Sequence, residues 1–373
     1  MIVEIDKKRP EQIRETSIVQ QTAFWSEVKR KQGIVSKAFE IKTRADEIIT
    51  ETDDSSYMTD DILVLLQPVD TEHHIAYVPY GPTLEPSEEN RGAFLEELSE
   101  SLRSYLPSKC IMIRYDLLWE SPWAHDENRF DRFHNWIGPP EKYNQEFRFN
   151  FNTQQWNLKK ANTDILPSNT IFIDLKKSNE TLLTRMKPKT RYNIKLSERK
   201  GVHVRRVGFE YLNIWYDLYA QTALRNGIYL HDVDYFRTVL DTKANNTRSP
   251  AEVELLIAEV DNIPLAAMFL VISGRRATYL YGASSSTSRN YMATYALQWE
   301  AINRAKARAC NEYDMFGVAP KPDPSHPMYG LYRFKSGFGG RMFHRMGCWD
   351  FPLDAENYNI FSASEFNSQG YHV

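Results

Sequence analysis

The sequence predicts an α/β protein built from two copies of one strand–strand–helix–strand unit. Three observations carry this reading. The same order of elements occurs twice, and one strand in each copy ends in Tyr-Gly, at Tyr80 and at Tyr281. The interval from that tyrosine to the aspartate of the next strand is 36 residues to Asp116 and 33 to Asp314. The chain has 373 residues, more than one core usually holds, so two domains are expected. Similar order at similar spacing points to a duplicated unit, with chance similarity of two α/β halves as the competing explanation.

In the first copy, the apolar run from Asp61 to Pro68 reads as a strand, and a second runs from His74 to the Tyr80-Gly81-Pro82 turn. A helix follows from Gly92 to Tyr105, with Phe94, Leu95, Leu98 and Leu102 on one face. The strand Cys110–Asp116 completes the unit. In the second copy, 255–260 and 264–272 read as a hairpin turning at Asp261-Asn262. A strand over Arg276–Gly282, a helix from about Tyr295 to Ala309 and a strand over Glu312–Gly317 complete the repeat. Polar, turn-rich sequence places the join near 145–168. The first domain is assigned 1–155 with the tail from about 345 to 373, and the second 156–344. The tail reads as aromatic and loop-like.

Between the copies lies a strongly basic stretch. Residues 185–206 contain nine Lys and Arg against one acid, Glu198, while the whole chain has net charge −3. An acidic protein with its positive charge in one block invites an anionic partner, RNA first among them. Pro188 divides the block into a short helix from about Glu180 to Met186 and a second from Pro188 to Gly201. Tyr192 and Leu196 stand at i,i+4 and are expected to face the core. Arg191, Lys195 and Arg199 form a parallel row whose repulsion, a few tenths of a kcal/mol (about 0.2–0.5) per pair, an anion would relieve. A plain solvated basic face is the alternative.

Composition excludes several classes. No apolar run approaches the roughly 18 residues of a membrane helix, and the N-terminus lacks the apolar core of a signal peptide. Cys110, Cys310 and Cys348 make neither a zinc pattern nor a disulfide framework, which suits a reducing, cytoplasmic compartment. There is no Gly-x-Ser-x-Gly elbow and no Cys/His pairing for covalent catalysis.

Five blocks then occur in order: Met186–Lys195, Ala223-Leu-Arg-Asn-Gly-Ile, Ala277-Thr-Tyr-Leu-Tyr-Gly-Ala-Ser, Tyr313-Asp-Met-Phe-Gly-Val, and Gly330-Leu-Tyr-Arg-Phe-Lys-Ser-Gly-Phe-Gly-Gly. Over about Trp25 to Gly340 the chain resembles the Fem family of non-ribosomal peptidoglycan aminoacyltransferases. The resemblance implies two domains of the GNAT (acetyltransferase-like) fold. It implies transfer of an amino acid from aminoacyl-tRNA to the side-chain amine of a cell-wall pentapeptide precursor, soluble as UDP-MurNAc-pentapeptide or lipid-linked. No cofactor is implied, and a monomer is expected. The stretch 243–250 leaves no room for the long helical arm of some members, so the chain resembles the short, FemX-like type.

An aminoacyl ester is already activated, so the protein must position the amine, stabilise the oxyanion and manage the amine proton. The resemblance assigns the catalytic lysine to Lys335, and a plain surface lysine is the alternative. Asp116 and Asp314 are expected at strand ends. Asp116 matches a family aspartate considered as a general base, with a structural role, capping a loop or pairing with Arg114, equally open; Asp314 is read as structural. Arg225 and Lys29 are expected to hold anionic parts of the precursor, though Lys31 competes with Lys29 for that position. Tyr279 and Tyr281 alternate along a strand and are expected on one face, with Tyr229 and His231 lining the same cleft. Phe334 is grouped with the substrate-binding residues, stacking or packing beside Lys335. Lys187, Lys189, Arg191 and Lys195 are the expected tRNA contacts.

Three other readings stay open. An acyl-CoA N-acyltransferase needs a glycine-rich pyrophosphate loop, but Met292 and Thr294 stand where glycines would be. A tRNA-dependent transferase with another acceptor would share the basic block. So would a non-catalytic RNA-binding module.

Overall fold

The computed structural model describes residues 1–227 and 229–367. Thirteen strands form one sheet. The first half contributes β1 (Glu4–Lys8), β2 (Val35–Arg44), β3 (Tyr57–Pro68), β4 (His74–Val78), β5 (Cys110–Glu120) and β6 (Lys159–Lys160). Its helices are α1 (Ala23–Lys31), α2 (Ala45–Ile48), α3 (Arg91–Arg103) and α4 (Lys142–Asn150). The second half holds β7 (Asn169–Asp174), β8 (His203–Val207), β9 (Ala251–Val260), β10 (Ile263–Ser273), β11 (Arg276–Ser284) and β12 (Glu312–Asp314). Its helices are α5 (Asn179–Arg185), α6 (Pro188–Arg199), α7 (Leu212–Asn226), α8 (Val233–Asp241), α9 (Ala293–Ala307) and α10 (Tyr329–Lys335). The long β13 (Arg341–Pro352) and α11 (Ala355–Asn367) follow.

The strand order is β1-β2-β3-β4-β5-β13-β7-β12-β11-β10-β9-β8, with β6 pairing only β13. Five strands therefore stand on each side of β13 and β7. The repeat is visible in the pairing. β3 with β4 and β10 with β11 are antiparallel, and each pair is followed by a helix that returns to a parallel neighbour, β5 or β12. The hairpin forms where expected because Asp261 and Asn262 both adopt positive φ, 48° and 62°, as a two-residue turn requires. Pro188 opens α6, and Gly227 closes α7 in the left-handed conformation.

Several expectations fail. The tail is not loop-like: 341–352 is the strand joining the halves, pairing β7 through 341–344 and β5 through 345–352. Tyr80 is not at a strand end; β4 stops at Val78, and Tyr80 sits in the following turn with φ 46°. Tyr192 is 56% exposed, and α6 instead buries Thr190, Asn193, Ile194 and Ser197. The stretch 145–168, which leads from the first half to β7, also holds most of α4 and all of β6.

Three apolar clusters fill the two faces of the sheet. One contains Trp25 of α1, Trp215 of α7, Phe236 of α8 and Phe269 of β10, so it spans both halves on one face. The other two cover the opposite face, around α9 in the second half and α3 in the first. β13 shows that these two share a face. Met342 packs into the second cluster, and Met346, Trp349 and Phe351 into the third, with a register shift near 345–347 keeping the latter on the same side.

Candidate active site at the gap between two parallel strands

β11 and β12 pair only through 276–278 and 312–314. Beyond Thr278, β11 continues along β10, while the other chain turns away through Met315, Phe316 and Gly317. The two strands separate beyond this point. Lys335, the last residue of α10, is placed there. Its Nζ donates to the carbonyl oxygens of Gly317 (2.6 Å) and Phe316 (3.2 Å) and lies 5.2 Å from the centre of the Tyr279 ring. Lys335 is 4% exposed, and burial lowers its pKa from the usual lysine range to about 7, against an opposing pull from Asp314. This is a lysine poised between charge states, not a surface one.

Asp314 is fixed around this lysine. One carboxylate oxygen accepts from Thr170 Oγ1 and from the Phe316 backbone N–H (2.8 Å), and the other faces Arg345 Nη2 at 3.4 Å. The structural role read from the sequence fits this. Thr170 and Arg345 belong to no short motif, and nothing local in sequence ties either to Asp314.

On the α1/α7/α8 face of the sheet, several expected residues meet. Lys29 Nζ lies 5.1 Å from the Trp25 ring and 5.3 Å from that of Tyr235, and donates to Gln32 Oε1 at 3.0 Å. Burial lowers its pKa to about 8. Lys31 points elsewhere, to Asp241 on the surface at 4.0 Å. The Tyr281 and Tyr235 hydroxyls are 2.8 Å apart, and Tyr235 stacks on His231 at 4.4 Å. Tyr229 is 59% exposed and stands edge-on to His231 at 5.0 Å. Arg225 closes α7 with its guanidinium held by Ser284 Oγ (2.9 Å), Ser286 Oγ (3.1 Å) and Thr222 Oγ1 (3.3 Å). None of these partners is a carboxylate. Burial and the neighbouring Arg289 both lower its pKa, so an anion would relieve it.

Tyr279 and Tyr281 do not share a face. Leu280 is an extra residue opposite the Phe269–Leu270 step of β10, so Phe269 faces Tyr281 and Leu270 faces Tyr279. The bulge breaks the alternation and sends Tyr281 into the first cluster and Tyr279 into the second. Tyr279 lies flat along the strand because residue 282 is glycine; a Cβ there would overlap its hydroxyl. Gly282→Ala is expected to force the ring away and cost about 1–3 kcal/mol, the usual range for overpacking, read as a lower midpoint in urea unfolding.

Phe334 is committed to packing rather than to an open cleft. It stands edge-on to Tyr295 at 5.0 Å and to Phe338 at 5.4 Å. Asp116 is not at a strand end either, since β5 continues to Glu120. It is fully buried and does not pair with Arg114, which binds Asp350 and Glu365. One of its oxygens accepts from Leu166 N (2.8 Å) and Tyr77 Oη (3.0 Å), and the Cys348 thiol also lies against the carboxylate. Burial, reinforced by Asp164, raises its pKa to about 7.

The basic helix α6 lies on the opposite face, beside Lys335. The Lys187 backbone N–H donates to Gly337 O at 2.8 Å, and its Nζ reaches Ser336 Oγ at 3.2 Å. Lys187, Lys189 and Lys195 are exposed and make no ion pair among the described residues. Arg191 differs: its guanidinium turns back onto the Met186, Leu183 and Thr184 carbonyls at the end of α5.

The duplicated sheet, with its parallel strands parted over a buried lysine, defines a tandem GNAT architecture. It resembles the structure of FemX with a TM-score of 0.71 at 17% identity, covering 96% of this chain and 100% of that one. It also resembles a tandem GNAT protein from the clavulanic acid biosynthesis pathway, with a TM-score of 0.50 at 9% identity over 94% of this chain and 98% of the other. The FemAB family profile matches residues 11–248 and 242–365, and the chain belongs to that family. Among curated relatives, the lipid II:glycine glycyltransferase of Staphylococcus epidermidis is 24% identical over 254 residues, 52% of this chain and 61% of the relative. That of Staphylococcus aureus is 22% identical over 258 residues, with the same coverage. The chain thus spans about three-fifths of the length of these relatives.

Proposed function

We propose that this protein transfers an amino acid from aminoacyl-tRNA to the side-chain amine of a peptidoglycan precursor, building the bridge between peptide strands. The observation that carries this is the buried Lys335 where β11 and β12 part. An anion-ready set of Lys29, Arg225 and Tyr281 lies on one face of the sheet and the exposed lysines of α6 on the other. Two anionic substrates can then approach one point from opposite sides without competing for the same charges.

The acceptor amine, entering from the Lys29–Arg225 face, attacks the ester carbonyl carbon. The developing oxyanion is stabilised by the Lys335 ammonium, whose third N–H is left over from the two carbonyl bonds. The C–N bond forms, the ester C–O bond breaks, and the amine's proton leaves with the ribose hydroxyl. Burial makes a single positive charge count for more here than in water. Asp116, sealed under Leu166, is a structural group in this scheme.

The activity of the glycyltransferase relatives makes glycyl-tRNA and a lipid-linked precursor the first pair to test, with UDP-MurNAc-pentapeptide beside it. Purified protein, charged tRNA and precursor should give a product heavier by one amino-acid residue in mass spectrometry. No adduct on either precursor, or transfer from acetyl-CoA instead, would defeat the proposal. Neutralising Lys187, Lys189 and Lys195 together should weaken tRNA binding and leave precursor binding unchanged. The salt slope of tRNA binding should fall by about 0.7–0.9 for each phosphate that is no longer neutralised. Loss of precursor binding in that variant would mean α6 serves the other substrate.

A further inference from the structure

A cavity of about 230 Å³ lies where the first half meets the start of β7 and residues 320–321, on the α3/α9 face of the sheet, between α4 and β13. The segment over it, 121–150, carries no motif that pointed to a role. The cavity combines two indoles, Trp123 and Trp136, with cations of which most are already paired: Arg91 with Glu85, Arg148 with Glu88, Lys160 with Asp164 and Arg345 with Asp314, leaving Lys321. The wall is built rather than loose. Trp136 stacks on His344 at 3.8 Å and its Nε1 donates to Trp123 O at 2.9 Å. Arg148 lies 4.5 Å from the Trp123 ring centre. Arg129 pins the segment's return through Gly138 O and Pro139 O, each at 2.7 Å.

Two links join this cavity to Lys335. Gly317, whose carbonyl Lys335 binds, is four residues before Lys321, so the chain between them spans at most about 14 Å. Arg345, in the cavity wall, pairs with Asp314, the carboxylate fixed around Lys335. The cavity also opens on the sheet face that carries α6.

Indoles beside Arg and Lys are the chemistry that holds an unpaired nucleotide, the ring stacking and the phosphate meeting the cation. The volume is below the roughly 300–1,000 Å³ of pockets for larger ligands, which suits one ring system. Lys321 makes no close ion pair among the described residues; Asp131 and Asp323 feel its charge from farther off, and its ammonium can still meet a phosphate. We propose that this cavity seats one base from the unpaired 3′ end of the RNA substrate, with Lys321 on its phosphate, and so sets how far that strand reaches toward Lys335. This rests on the aminoacyl-tRNA reading and assigns it a site where the two halves of the molecule meet.

The test compares two hairpin RNAs of identical stem, one with a short unpaired 3′ tail and one blunt, by fluorescence anisotropy. Wild type should prefer the tailed hairpin. Trp123→Ala should weaken the tailed complex about tenfold and leave the blunt one unchanged. Lys321→Ala, which removes no packing ring, should narrow the same preference. Blunt-hairpin binding reports folding in each variant. Equal wild-type affinity for both hairpins, or a preference untouched by both variants, overturns the cavity assignment while the tRNA reading stands. Failure of wild type to bind either hairpin overturns both.

Discussion

Replacing Lys335 with methionine is expected to remove transfer and, at neutral pH, to raise the melting temperature. Burial holds the Lys335 pKa at about 7, whereas an unfolded lysine titrates near 10.5. Below about 7 the folded protein must enclose a charged amine, or between 7 and 10.5 give up a proton that the unfolded chain keeps. Lysine burial therefore costs stability throughout that range, fully below about 7, and the cost fades as pH rises toward 10.5. Methionine fills similar space without charge. It forgoes the bonds to Phe316 and Gly317, worth about 1 kcal/mol each, against a shift corresponding to several kcal/mol. A net gain on the order of 2 kcal/mol should remain at pH 7 and shrink toward pH 10, read from melting curves of both proteins. Transfer should fall at least about 100-fold, as when a positioned oxyanion donor is lost. In the wild type the rate should decline as pH rises through about 7, where the ammonium is lost. A wild type that melts higher than the variant at every pH would mean burial does not hold this amine near neutrality.

Asp116→Asn should leave transfer within a few-fold of wild type while stabilising the protein above neutral pH. Here the sign is reversed. The folded pKa, about 7, lies above the unfolded value of 3.8, so the folded state binds the extra proton between them. Stability falls as pH rises through that window and stays low above it. Asparagine keeps an acceptor for Leu166 and Tyr77 and carries no charge. The two proteins should melt alike near pH 4, separate toward pH 7 by up to about 4 kcal/mol, and stay separated above it. A folded Asp116→Asn protein that has lost transfer would return this aspartate to the chemistry.

Much of the architecture was written locally. The hairpin at Asp261-Asn262, the Pro188 break and the doubled Tyr-Gly spacing each follow from one or two residues acting on their neighbours. What was not legible depended on partners distant in sequence. The alternation of Tyr279 and Tyr281 is correct for an unbroken strand, but the bulge at Leu280 is set by β10. Tyr192 and Leu196 are well spaced to pack, yet α6 is rotated so that Thr190, Asn193, Ile194 and Ser197 meet its neighbours. Arg191 belongs by composition to the basic face, and the carbonyl ends of α5 claim it. Residues 341–352 mix Arg341, His344 and Arg345 with a glycine and the aromatics Phe343, Trp349 and Phe351, so they lack a strand's simple pattern. Each is explained only by having neighbours from both halves. At the site, Lys335 was visible through its motif, and Tyr235, Thr170 and Arg345 were not, because no short pattern contains them.

β13 also governs how the molecule can be made. During synthesis the edges of β5 and β7 emerge well before the strand that covers them. Until residue 352 leaves the ribosome, each half presents an uncovered strand edge, the feature most prone to pairing with another chain. The two halves thus share one late closing event, and neither half of the sheet is finished before β13 emerges.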